Sequence, residues 1–93
     1  MPFEIVISKR AEKHIQKAYN WYEERRAGLG DMFLSVLDSA ILSIKSNPFS
    51  YGIRRKSLRG CIKKDYPYLI YFYTKGSVVK VVAVFHMSRR PMA

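Results

Sequence analysis

The chain has 93 residues, 48% of them hydrophobic, and a formal net charge of +10. That is enough for one small globular domain, residues 1–93; it is too apolar for a disordered segment, and its longest apolar run, Val78–Phe85 broken by Lys80, is too short to cross a bilayer as a helix. The single cysteine, Cys61, excludes an internal disulfide and a cysteine-based zinc site, and is expected as a buried or half-buried apolar residue in a reducing compartment.

Phe3–Ile7 is rich in β-branched residues and predicts a short strand. Ser8 is expected to cap the helix that follows. Ala11, Ile15, Ala18, Tyr19 and Tyr22 recur at helical spacing and form its apolar stripe, with His14 and Trp21 at the border. Ala27-Gly28-Leu29-Gly30 breaks this helix, and Asp31 is expected to cap the next one. The second stripe is Phe33, Val36, Leu37, Ala40, Ile41 and Ile44; Asn47-Pro48 ends it, because proline lacks a donor and pushes the preceding residue out of helical geometry. Two amphipathic helices with a short loop predict a helical hairpin.

Tyr51–Lys56 reads as a basic connection or a first strand segment, and Leu58–Lys64 as a weak strand. Tyr68–Tyr73 and Val78–Phe85 read as an antiparallel pair around a tight turn, Thr74-Lys75-Gly76-Ser77, with Gly76 able to take positive φ. The order β-α-α-β-β-β predicts an α+β fold, a helical hairpin packed on one face of a small, mainly antiparallel sheet. Tyr, Phe and Val occupy both parities of the last two strands, so the face away from the helices is a candidate binding surface.

Charge is distributed unevenly. Residues 1–46 hold seven Lys/Arg and six acids, net +1; residues 47–93 hold ten Lys/Arg and one acid, Asp65, net +9. A one-sided basic excess implies an anionic partner, nucleic acid or an acidic protein segment. The start, Met1-Pro2-Phe3-Glu4, lacks the features of a secretory signal, so a cytoplasmic protein with no membrane association is expected. No carboxylate cluster accompanies His14 and His86, and no phosphate loop or nucleophile–base motif is present; no metal or cofactor is implied.

The order of elements resembles that of the RelE/ParE superfamily of toxins from type II toxin–antitoxin modules. The residues that carry the resemblance are Tyr19, Trp21 and Tyr22 near the end of the first helix, the junction Gly28-Leu29-Gly30-Asp31-Met32-Phe33-Leu34, and Asn47-Pro48. To these are added Tyr66-Pro67-Tyr68-Leu69-Ile70-Tyr71-Phe72 and Val84-Phe85-His86-Met87-Ser88-Arg89-Arg90-Pro91. The ParE-like branch, which includes plasmid stabilisation proteins, fits best. The resemblance implies a growth-arresting toxin that binds and poisons DNA gyrase. It also implies neutralisation by a cognate antitoxin whose acidic or amphipathic C-terminal segment wraps around it in a toxin–antitoxin hetero-oligomer.

Two alternatives stay open. RelE-type relatives are metal-independent endoribonucleases that cut mRNA on the ribosome, and that chemistry needs an acid, a base and cations for the developing phosphorane. Carried onto this chain, those roles fall to Lys63, Lys64, His86 and Arg89; Leu69 stands where such relatives place an arginine. The other alternative is a basic nucleic-acid-binding module. Candidate residues for contact with a target or antitoxin are Arg54, Arg55, Arg59, Lys63, Lys64, Tyr71, His86, Arg89 and Arg90. Beside these stand plainer readings. His86 is a strand-end histidine bonded to backbone, the tyrosines 66, 68, 71 and 73 are core or rim residues, and a charged run is a solvated face.

Overall fold

The computed structural model describes residues 3–62 and 68–86. The elements are β1 (Glu4–Ile7), α1 (Lys9–Arg25), α2 (Leu29–Ser46), a single 3-10 turn (Pro48–Ser50), β2 (Ile53–Arg55), β3 (Leu58–Ile62), β4 (Tyr68–Lys75) and β5 (Val78–His86). The five strands form one sheet in the order β1-β5-β4-β3-β2. β1 runs parallel to β5 and every other pair is antiparallel. The two helices cover one face, the α+β arrangement the sequence predicts.

Ser8 starts α1 as expected, its Oγ accepting the Ala11 N–H at 3.1 Å. Ala11 and Ala18 are the buried positions of α1. These small side chains let the helix backbone lie close to the sheet, while Ile15 and Tyr22 reach the core from the flanks. α2 buries Phe33, Leu37, Ala40 and Ile44, again the predicted stripe. Against them the sheet sets Cys61, Ile70, Phe72, Val79 and Val81. Phe33, Ile44, Phe72, Val79 and Val81 are fully buried, each stabilising the fold by about 1.5–3 kcal/mol relative to an exposed side chain. Cys61 is buried, in accord with its expected apolar role.

The start of α2 corrects one expectation. Asp31 does not cap it; the helix begins at Leu29, Gly28 is the N-cap at φ 93, and Asp31 lies within the first turn. The cap is supplied from α1. The Glu23 carboxylate accepts the N–H groups of Gly28 at 3.1 Å and Gly30 at 3.0 Å, satisfying orphan donors and complementing the positive end of the helix. Gly30 has to be glycine for this approach, since a Cβ there would meet Glu23 Cγ and the Tyr19 ring at 2.7 Å. At the other end Asn47 closes α2 and Pro48 opens the 3-10 turn, as the Asn-Pro pair requires.

The hairpin of β4 and β5 is also tighter than expected. Thr74 and Lys75 belong to β4, so the turn shrinks to Gly76-Ser77, with Gly76 at φ 60. Phe72 pairs with Val81 but Tyr71 with Ala83, so Val82 is the extra residue of a β-bulge. The bulge shifts inward-facing positions from Val79 and Val81 to Val84 and His86. It accounts for the apolar residues at both parities of β5.

Candidate functional site

Two surfaces carry chemistry-bearing side chains. The first is a groove between α1 and the end of β5. β1 stops at Ile7, paired with Val81, so β5 from Val82 onward has no strand beside it on that edge among the described residues. Ser8 and His14 take the place of the missing strand. The Ser8 N–H donates to Val81 O at 2.9 Å and the Ser8 hydroxyl to Val82 O at 3.3 Å. The Val84 N–H donates to His14 Nδ1 at 3.1 Å. An imidazole that accepts at Nδ1 is neutral and carries its proton on Nε2. The surroundings hold it there: burial, then the charges of Arg10 and Lys17, lower the His14 pKa from its ordinary 6.5. Next to this bond lies a groove of about 340 Å³, lined by His14, Lys17, Ala18, Trp21, Tyr68, Val84, Phe85 and His86.

Within the groove the rings are mutually engaged. His86 meets Tyr68 edge-on at 4.9 Å, and His14 lies 5.0 Å from Phe85. The Arg25 guanidinium sits 3.7 Å from the Trp21 ring centroid and donates to Trp21 O at 3.3 Å. Tyr22 stacks on Phe33 at 5.5 Å, which makes it a core residue.

The second surface is the sheet face away from the helices. Register puts Gly60, Tyr71 and Ala83 in one row across it and Ile62, Leu69 and Phe85 in the next. Leu69 and Ala83 are buried yet stand outside the helix-packed core, so neighbours on the outer face cover them. Tyr71 and Phe85 meet edge-to-face at 5.9 Å. Arg54 reaches onto this face from β2. A Cβ on Gly60 would collide with Arg54 Cδ, lie 3.0 Å from Arg54 Cγ and 2.9 Å from Leu69 Cδ1. The aliphatic stem of Arg54 therefore occupies the space that the absent side chain of residue 60 leaves beside Leu69.

The sequence-predicted residues separate among these places. Tyr71 and Arg54 share the outer face, His86 lies in the groove, and Arg55 is exposed on the edge strand. Arg59 points to the helix side: it donates to Tyr51 O at 2.7 Å and covers the Phe49 ring at 5.1 Å, clamping the 3-10 turn. Arg54 and Arg59 thus face opposite sides of the sheet. Lys63, Lys64, Arg89 and Arg90, with Tyr66, lie outside the described residues. Sequence reasoning left His14 and Trp21 at the border of a stripe, although both line the groove. It gave Gly60 no role; its signal was a glycine in the middle of a strand, which marks a close approach. Among the described residues no group of three or more His, Cys, Asp or Glu side chains is placed to hold a metal, and no helix is long and apolar enough to cross a membrane.

The profile of the ParE toxin of type II toxin–antitoxin systems (parDE) matches residues 5–91, nearly the whole chain. The chain belongs to the ParE toxin family. Solved structures share its fold. The chromosomal ParDE toxin–antitoxin system from P. aeruginosa matches with a TM-score of 0.68 at 11% identity, over 88% of this chain and 92% of that one. A conserved hypothetical protein from Helicobacter pylori, solved in solution, matches with a TM-score of 0.54 at 18% identity, over 88% and 91%. No curated protein matches the chain. The outer face and the α1–β5 groove are therefore surfaces of a ParE-family toxin domain.

Proposed function

We propose that this chain is the toxin of a type II toxin–antitoxin module, that it arrests growth by binding and poisoning DNA gyrase, and that a cognate antitoxin neutralises it. The observation that carries the reading is the outer sheet face of a ParE-family domain. Leu69, Tyr71 and Phe85 form an apolar floor beside the Arg54 stem. Such a surface suits docking of a folded protein or a folding segment, where apolar contacts supply affinity and a few cations supply register. Poisoning a target by binding asks for a surface of this kind and for no acid–base pair. The basic excess of residues 47–93 favours acidic partners and speeds encounter with them.

The test is a supercoiling assay with purified chain, gyrase and relaxed plasmid, read together with gyrase–DNA cleavage complexes. Inhibition that the antitoxin reverses is expected. A full dose series with normal supercoiling and no cleavage complexes sinks the gyrase reading.

One observation favours the ribosome-dependent ribonuclease as a second reading. Leu69 stands where relatives of that type place an arginine, but the Arg54 stem lies beside it and returns a cation to the region. The same preparation added to a translating extract separates the two, since intact mRNA at arresting doses removes the nuclease.

A further inference from the structure

The β2–β3 hairpin departs from regular geometry at three points, two of which bear directly on one side chain. Ile53 pairs with Arg59 and Arg55 with Leu58, so Arg54 is the extra residue of a β-bulge. Bulges kink the strand and re-aim a side chain. Lys56, in the turn, is the one non-glycine residue with positive φ, at 51°, among the described residues. A lysine held there costs backbone energy that the surrounding structure must fix in place. Gly60 omits the side chain that would fill the path of Arg54. The bulge and Gly60 together let the Arg54 stem lie across the outer face beside Leu69, with the residue exposed.

The sheet offers Arg54 little intramolecular charge. Among the described residues Glu4 is the only acid in any strand, and it sits on β1, at the opposite edge from β2. A nucleic-acid partner would want open ring faces on which bases stack. Here Phe85 is flanked by His14 at 5.0 Å and Arg10 at 5.9 Å, and Tyr71 meets it edge-on. An apolar floor beside one exposed guanidinium fits instead a carboxylate on a peptide segment whose neighbouring residues are apolar.

We infer that Arg54 is the carboxylate-binding residue of the outer face, that its ligand is an acidic side chain of the antitoxin, and that Gly60 is the residue that positions it. This rests on the toxin–antitoxin reading above.

The experiment measures binding of the full chain to the antitoxin encoded beside it, at several salt concentrations. Arg54→Met keeps the stem over Gly60 and removes the charge; it should weaken binding on the order of tenfold and flatten the dependence on salt. Gly60→Ala displaces Arg54 and should weaken binding to a similar degree. The double variant should bind no worse than Arg54→Met, because both changes remove one interaction. Arg54→Lys, which keeps the charge but loses the fork, should recover the salt dependence. Should Gly60→Ala fail to fold by its thermal melt, Arg54→Met with Arg54→Lys still decides the role of the charge.

Unchanged antitoxin affinity and salt slope in Arg54→Met would overturn the inference while leaving the toxin–antitoxin reading intact. So would loss of duplex DNA or RNA binding with antitoxin binding preserved. Additive losses in the double variant would overturn the role of Gly60. A wild-type chain that does not bind the antitoxin removes both the reading and the inference.

Discussion

The two edges of the sheet solve the same problem in opposite ways. An edge strand exposes unpaired backbone groups that invite pairing with another chain. On the β5 side, the edge past Val81 is sealed by Ser8 and by a neutral His14, both drawn from the N-terminal part of the chain. On the β2 side the strand is only three residues long, bulged, and carries Arg54 and Arg55. One edge is closed by hydrogen bonds that replace a strand; the other is kept open and guarded by charge. Sealing gives order and charge keeps a surface available, so the structural role falls to the first edge and the proposed docking of a partner rests on the second.

The largest effect should come from breaking the seal. His14→Phe keeps a ring beside Phe85 and removes the acceptor, leaving the Val84 N–H without a partner; a loss of about 1–3 kcal/mol in urea unfolding is expected. His14→Gln, which can accept, should recover part of it. Equal midpoints for wild type and His14→Phe would mean that the bond contributes nothing.

Acid should open the same bond, to an extent no greater than the mutation. The groups around His14 are Arg10 and Lys17 on its own helix, Tyr68 on β4 and His86 on β5. Folded His14 titrates below 6.5, so the unfolded chain takes up its proton first. The contribution of neutral His14 is present in full above about pH 6.5, declines as pH falls through that value, and levels off below the depressed folded pKa. The difference in stability between wild type and His14→Phe should shrink across that window; a constant difference would count against a neutral His14.

Ser8→Ala removes the α1 cap and the bond to Val82 O, and should cost about 0.5–2 kcal/mol. At the open edge, Arg55→Ala should change stability by less than about 0.5 kcal/mol, because an exposed side chain on a short edge strand supports little of the fold. A larger loss there would erase the contrast between the edges.

Most of the fold was legible because its elements announce themselves locally. The stripes of α1 and α2 name their buried residues, and Asn47-Pro48 marks the end of α2. The start of α2 was not legible, since its cap is Glu23, a residue of the preceding helix. β5 was ambiguous because a bulge at Val82 breaks the two-residue period on which face assignment depends. The site was less legible than the fold. His86 was singled out, but its companions His14 and Trp21 come from α1 and meet it only in three dimensions. Arg54 and Arg59 look alike in a basic run and project to opposite faces, a difference set by the pleat and the bulge.

The carboxylate of Glu23 also bears on the order in which the chain assembles. It joins residues five and seven positions apart, so the helical hairpin closes a short loop and needs no strand to form. The bond from Ser8 to Val82 spans 74 positions, and the parallel pairing of β1 with β5 carries a comparable closure entropy. We expect the hairpin to form early and the N-terminal strand to dock after the rate-limiting barrier. In a chevron, Ile5→Ala, which trims a core-packed residue of β1 and touches no helix cap, should then speed unfolding and leave the refolding limb almost unchanged; a slowed refolding limb would place β1 docking in the folding nucleus instead.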